Sequence, residues 1–223
     1  MSQKTHYLQD VAAFRDLSFT EVETISQRTT LAHYRAGHLF YLPNDPGDAL
    51  FILKKGRVQL YRMSPDGRKF IVAILNAGDI FGHMALVGQR MHNTFAEALE
   101  DCTICIWNSA EVEQVLREKP QVALRLLEAV GQRLSDAERR LEEMTFKRIP
   151  ARMAGLLIQL NREQGCTGAV QGYTHQQLAD ILGAYRETVT QTLNEFKEQE
   201  LIRVSRKVIE ILDLLKLQNV AES

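Results

Sequence analysis

The hydrophobic pattern changes period along the chain, and the changes predict three zones. Up to about Asn108, apolar residues come in short runs closed by turn residues. Ala49-Leu50-Phe51-Ile52-Leu53 stops at Lys54-Lys55-Gly56, and Val58-Gln59-Leu60-Tyr61 alternates and stops at Ser64-Pro65-Asp66-Gly67. Phe70 to Leu75 stops at Asn76-Ala77-Gly78-Asp79, and Thr103-Ile104-Cys105-Ile106-Trp107 follows. Short runs between evenly spaced Gly/Asp turns predict the strands of an antiparallel barrel or jelly roll. A helical pattern, roughly Asp10 to Gln27, precedes them.

The second zone reads as one long helix. Pro120 suits a first helical turn. After it, apolar or small residues fall at Ala123, Leu127, Val130, Leu134, Ala137, Leu141 and Met144, in alternating steps of four and three. That is a heptad seam. Charges fill the intervening positions, among them Arg133, Asp136, Glu138, Arg139, Arg140, Glu142 and Glu143. A helix lying on its own domain shows a wider apolar face, so this narrow stripe predicts packing against a second copy of itself.

In the third zone, Ile149-Pro150 reads as a break, followed by an amphipathic helix from Ala151 to Glu163 that ends at Gly165-Cys166-Thr167-Gly168. Thr174 is a candidate N-cap for a helix that stops at Gly183. A second helix follows at once, from about Arg186 to Glu198. Leu201 to Val204 and Val208 to Ile211 flank Ser205-Arg206-Lys207 as a β-hairpin. Two short helices joined at a glycine are the helix-turn-helix plan. In that plan Ala179 is small where the helices cross, and Val189 and Leu193 face the core. Tyr185, Arg186, Glu187, Thr190 and Gln191 then lie on the exposed N-terminal face of the second helix, where a recognition helix meets base edges. Arg pairs with guanine and Glu accepts from cytosine, so Arg186 and Glu187 are the expected base readers. Thr174, His175, Gln176 and Thr188 are candidate phosphate contacts.

Charge sharpens this expectation. The chain has 27 Lys and Arg against 28 Asp and Glu, and residues 147–223 carry 10 against 9. DNA binding must therefore come from where charge is placed, not from bulk charge. At 45% apolar and 25% charged the composition is that of a globular protein. No apolar run is long enough for a membrane span, and the N-terminal stretch lacks the apolar core of a signal peptide, so the cytoplasm is the expected location. Three cysteines, Cys102, Cys105 and Cys166, do not make a disulfide framework. In a strand, Cys102 and Cys105 would point to opposite faces, which argues against a shared metal.

The stretch Thr174-His175-Gln176-Gln177-Leu178-Ala179-Asp180-Ile181-Leu182-Gly183-Ala184-Tyr185-Arg186-Glu187-Thr188-Val189-Thr190 closely resembles the helix-turn-helix of CRP/FNR transcription regulators. Gly56 to Tyr61, Gly67 and Gly78-Asp79-Ile80-Phe81-Gly82 resemble the β-roll of that family, and the resemblance runs over roughly residues 10–215. It implies an α+β chain with a β-roll sensor (a double-stranded jelly roll of the cyclic-nucleotide-binding kind) over 1–109. A dimerisation helix and hinge follow over 110–146, and a winged helix-turn-helix over 147–223. It implies a homodimer on double-stranded DNA, activation through RNA polymerase, and Ser205, Arg206 and Lys207 in a wing against phosphate.

Departures from the family pattern limit what carries over. Gln191 stands where the cyclic-AMP receptor branch reads a further base with Arg. The wing turn usually has glycine where this chain has Arg206. In the nucleotide-binding cassette, His83 stands at the ribose-binding Glu position, Asn93-Thr94 lie at the phosphate-binding Arg-Ser position, and Arg90 is three residues early. The cysteine cluster of the iron–sulfur branch is absent, since residues 1–101 contain no Cys. His83 and Met84 lie one position off the histidine of a carbon-monoxide-sensing branch, which leaves haem as the one cofactor to consider. Otherwise no cofactor is expected, and the effector stays open. No His-x-His cluster, Gly-x-Ser-x-Gly or phosphate loop supports an enzyme.

Overall fold

The computed structural model describes residues 8, 11–45, 49–82 and 93–223. Among them a 3-10 turn (Ala12–Phe14) and helix α1 (Phe19–Gln27) precede eight strands: β1 (Thr30–Tyr34), β2 (Leu39–Tyr41), β3 (Ala49–Lys55), β4 (Val58–Met63), β5 (Lys69–Leu75), β6 (Ile80–Gly82), β7 (Phe95–Ala98) and β8 (Cys102–Asn108). Helices α2 (Ser109–Glu118), α3 (Pro120–Phe146) and α4 (Ile149–Glu163) follow. The chain closes with β9 (Ala169–Gln171), α5 (His175–Leu182), α6 (Arg186–Glu198), β10 (Ile202–Ser205), β11 (Val208–Ile211) and α7 (Leu214–Glu222).

The eight strands form two four-stranded sheets, ordered β1-β8-β3-β6 and β2-β7-β4-β5, with antiparallel pairing at β1–β8, β3–β8, β3–β6, β2–β7 and β4–β7. This is the jelly roll the turn spacing predicts. Strands β3 and β8 of the first sheet are buried on both faces, which explains their runs that are apolar throughout rather than alternating. One face carries Leu50, Ile52, Cys105 and Trp107 against Phe14, Val22, Ile25, Val112, Val115, Val122 and Leu126 from the helical segments. The other carries Leu53, Cys102 and Ile104 toward Val58, Leu75, Phe81, Ala96 and Ala98 inside the roll. Cys102 and Cys105 therefore point to opposite faces, and both are buried thiols.

The chain divides into two compact units. One takes in the chain to Arg62 and Val72–Leu134; the other takes in Met63–Ile71 and Ser135–Ser223. The second unit has its own core, in which Met153, Leu157, Leu178, Val189, Leu193, Phe196, Ile202, Ile209 and Leu217 pack together.

Three expectations change. The helical pattern from Asp10 to Gln27 is interrupted at Ser18, whose hydroxyl accepts from the Glu21 amide and whose own amide donates to the Glu21 carboxylate, so the chain restarts as α1. Asp10 itself lies outside the described residues. Ile149-Pro150 is not a break: both residues sit in the first turn of α4, where a missing N–H deprives no helical carbonyl of its partner. The positive φ of the wing turn falls on Lys207 (57°), not on Arg206.

Candidate DNA-reading site

The helix-turn-helix is built from local signals. Thr174 accepts from the Gln177 amide at 3.2 Å, and the Gln177 side chain accepts from the Thr174 amide at 2.9 Å. This capping box starts α5. Gly183 ends it at φ 64°, a left-handed turn suited to glycine. Arg152 of α4, half-buried, donates to the Leu182 carbonyl at the negative end of α5. Burial lowers the pKa of this guanidinium, opposed by the charge of Glu143. Ala179 is fully buried at the helix crossing, and Val189, Thr192, Leu193 and Phe196 anchor α6. Thr192 is a core residue that the apolar pattern does not mark. Its hydroxyl donates to the Thr188 carbonyl at 2.9 Å, which satisfies it without a tertiary partner.

The opposite face of α6 carries exposed polar side chains at its N-terminal end. Tyr185 is the N-cap, is 57% exposed, and makes no side-chain capping bond. Arg186 and Glu187 are exposed, and no hydrogen bond or ion pair engages either side chain among the described residues. Glu187 suits the positive end of a helix, whereas Arg186 is disfavoured there by the helix dipole. An unpaired cation in that position is poised for an outside acceptor.

Several of the other predicted contacts are already engaged. Thr190 Oγ1 lies 2.9 Å from His175 Nδ1, which ties the start of α5 to α6. Gln176 donates to Asp180 at 2.7 Å and Gln191 to Glu195 at 3.0 Å. Thr188 is half-buried. In the wing, β9 joins the hairpin as a third strand in the order β10-β11-β9, a strand too short to be seen in the apolar pattern. Ser205, Arg206 and Lys207 are exposed at its tip. Lys147, just past α3, donates to the Ala221 carbonyl of α7 at 2.7 Å.

The predicted seam of α3 lies open: Leu127 is 67%, Val130 38%, Leu134 59%, Leu141 67% and Met144 45% exposed. Ala123 is half-buried and Ala137 exposed. Leu124 and Phe146, which fall outside the heptad positions, are exposed as well. Val122 and Leu126, on another face of the same helix, fill the core beside the roll.

Of the effector candidates, His83, Met84 and Arg90 lie outside the described residues. Thr94 is buried and hydrogen-bonds Tyr41, so its hydroxyl is directed to the protein. Burial pushes the Tyr41 phenol up to about 12 against the effects of Thr94 and Arg133. Arg133 of α3 donates to the Ile80 carbonyl of β6. No group of three or more His, Cys, Asp or Glu fit to hold a metal occurs among the described residues. No helix among them is long and apolar enough to cross a membrane.

A jelly roll, a long helix and a winged helix-turn-helix with exposed polar side chains at the start of its second helix define a transcription regulator of the two-part, DNA-binding class. Comparison with known proteins narrows the class. Residues 31–119 match a cyclic nucleotide-binding domain, and residues 151–220 match a Crp-like helix-turn-helix domain. The chain is 32% identical over 201 residues to the transcriptional regulator SdrP of Thermus thermophilus, covering 85% of this chain and 93% of that one. It is 24% identical over 209 residues to a CRP-like cAMP-activated global transcriptional regulator of Mycobacterium tuberculosis, covering 92% and 93%. Among solved structures, a CRP/FNR-family transcriptional regulator from Thermus thermophilus superposes with a TM-score of 0.72 at 28% identity, covering 87% of this chain and 99% of that one. A CooA mutant from Carboxydothermus hydrogenoformans gives 0.76 at 26% identity, covering 96% and 95%. The chain belongs to the CRP/FNR family of transcription regulators, a family whose members regulate transcription and are not enzymes.

Proposed function

We propose that this chain regulates transcription as a homodimer that binds an inverted repeat, with Arg186 and Glu187 reading bases. The observation that carries the proposal is the N-terminal end of α6, where both side chains are exposed and make no hydrogen bond or ion pair among the described residues. Arg186 suits bidentate contact with guanine O6 and N7, and Glu187 suits the cytosine amino group. His175, steadied by Thr190, and Thr174, Gln176 and Thr188 lie near phosphate in this reading. Arg206 and Lys207 at the wing tip, with Ser205, add backbone contacts that carry no sequence information. Gln191 turns from Glu195 toward a base and favours adenine.

Pairing along the 120–146 seam would set two recognition helices about 34 Å apart, one turn of DNA. The functional parts are then 1–109 as sensor, 110–146 as dimerisation helix and hinge, and 147–223 as DNA reader. In this proposal the roll takes a small effector, or the protein's abundance is the signal, and the bound dimer activates by touching RNA polymerase in the cytoplasm.

Selection of random duplexes with the purified protein tests the reading, and enrichment of an inverted repeat is the expected result. On the enriched site, Arg186→Ala should weaken binding by about 1–3 kcal/mol and relax specificity at one base pair per half-site. A variant that binds specific and random DNA as the parent does removes Arg186 from base readout.

A further inference from the structure

The second compact unit contains a segment that helix-turn-helix chemistry does not require. Met63–Ile71, the connection from β4 to β5, packs within it on the leading end of α6. The Arg68 guanidinium carbon lies 4.7 Å from the centre of the Tyr185 ring. A Cβ on Gly183 would come within 3.1 Å of the Phe70 ring, so the bare glycine is what lets Phe70 lie against the turn between α5 and α6. Thus the cation lies on the ring of Tyr185, the residue before Arg186, which stays 57% exposed, and the Phe70 ring lies against the bend.

The connection is stiff. The Ser64 amide donates to the Arg68 carbonyl at 2.9 Å, and the Gly67 amide to the Ser64 carbonyl at 2.9 Å. Ser64 Oγ donates to Asp66 Oδ1 at 2.5 Å, and Arg68 Nε donates to Asp66 Oδ2 at 2.7 Å. These bonds hold the Asp66 carboxyl below the usual carboxylate range and aim the guanidinium. A tip this well tied presents Arg68 in one place rather than sweeping it through solvent.

The consequence is steric. A helix with its side chains is about 10–12 Å across, and the major groove is about 12 Å wide. The residues that meet base edges are those at the N-terminal end. A helix whose N-terminal end also carries a hairpin does not fit the groove to that depth. We infer that the 63–71 hairpin is a latch on the recognition helix, closed by Arg68 and Phe70, and that DNA entry requires it to lift. The latch rests on the DNA-binding reading above. The opposite possibility, that Arg68 is a further phosphate contact, predicts effects of the opposite sign.

The test compares the parent full-length chain with Arg68→Ala, Phe70→Ala and the double variant. Affinity is measured for the enriched inverted repeat and for a random duplex, at two salt concentrations. Amide hydrogen exchange over 183–188 is followed in the free protein. A latch predicts that the double variant binds both duplexes about three- to thirtyfold more tightly. The ratio of specific to random binding stays at the parent value, and the 183–188 amides exchange faster. Unchanged affinity with unchanged exchange overturns the latch. So does weaker binding with a salt slope reduced by about one, the mark of a lost phosphate contact. If neither the parent nor the double variant enriches any sequence, the DNA-binding reading fails by itself. Exchange in the free protein then still decides whether the hairpin covers the helix.

Discussion

Lys207 holds φ at 57° in the two-residue connection between β10 and β11, a conformation that costs an L side chain about 1–2 kcal/mol, against roughly 0.5–1 kcal/mol of extra chain entropy that a glycine would lose on folding. The register pairs Ser205 with Val208, and the left-handed residue is the second of the two in the turn, as in turns that need φ > 0 at that position. The family pattern put the glycine at Arg206, one residue early, because a sequence shows the length of a turn but not where its left-handed residue falls. Lys207→Gly should therefore raise unfolding stability by about 0.5–1 kcal/mol in a denaturant titration. In the proposed wing contact it should also weaken DNA binding and reduce the salt slope by about one. A variant less stable than the parent would show that the turn does not depend on that backbone angle. Other single residues were legible for simple reasons. The opposite facing of Cys102 and Cys105 follows from strand parity alone. The pairing of Thr190 with His175 was not legible, since a hydroxyl's partner fifteen residues away depends on how two helices cross.

At the scale of elements, α5 and α6 were readable almost to the residue because their ends are written locally: Thr174 with Gln177 at one end, Gly183 at the other. Gly183 meets two demands, a φ of 64° and the close approach of Phe70. Gly183→Ala should lower unfolding stability by about 1–2 kcal/mol. A change below about 0.3 kcal/mol would mean that the turn and the ring relax freely around a methyl group. The elements not read from the apolar pattern are short ones, of ten residues or fewer. β9 is three residues long and is recruited by pairing with β11. α2 carries only one short set of apolar residues at helical spacing, Val112, Val115 and Leu116, and Asn108 caps it by accepting from the Ala110 amide at 2.8 Å. α7 is capped by Asp213, which accepts from the Lys216 amide at 2.9 Å. The restart at α1 could also have been seen, since Ser18-Phe19-Thr20-Glu21 has the spacing of a capping box.

For the whole molecule, α3 carries two apolar stripes with different fates. Val122 and Leu126 are buried beside the roll, while Leu127, Leu134 and Leu141 remain 59–67% exposed. Fully burying a leucine is worth roughly 1.5–3 kcal/mol, so a stripe of this kind repeated on a second copy favours pairing strongly. The heptad spacing in the sequence separates this narrow stripe from the wider face a core demands. What it could not show is that the first turns of the same helix also serve the roll. Leu134→Glu places a charge in the middle of the seam and brings two like charges together in a dimer. Sedimentation equilibrium at micromolar concentration should then give half the mass of the parent. Binding tests the same point from the DNA side. Joining two readers turns the second contact into an intramolecular event, worth on the order of 10²- to 10⁴-fold in affinity. The variant should therefore lose most of its affinity for the inverted repeat while binding an isolated half-site as the parent's single reader does. A Leu134→Glu chain that keeps the parent's mass would place the dimer contact elsewhere. One that becomes a monomer yet holds the full repeat as tightly as before would mean that the two half-sites are not read by a pair of joined helices.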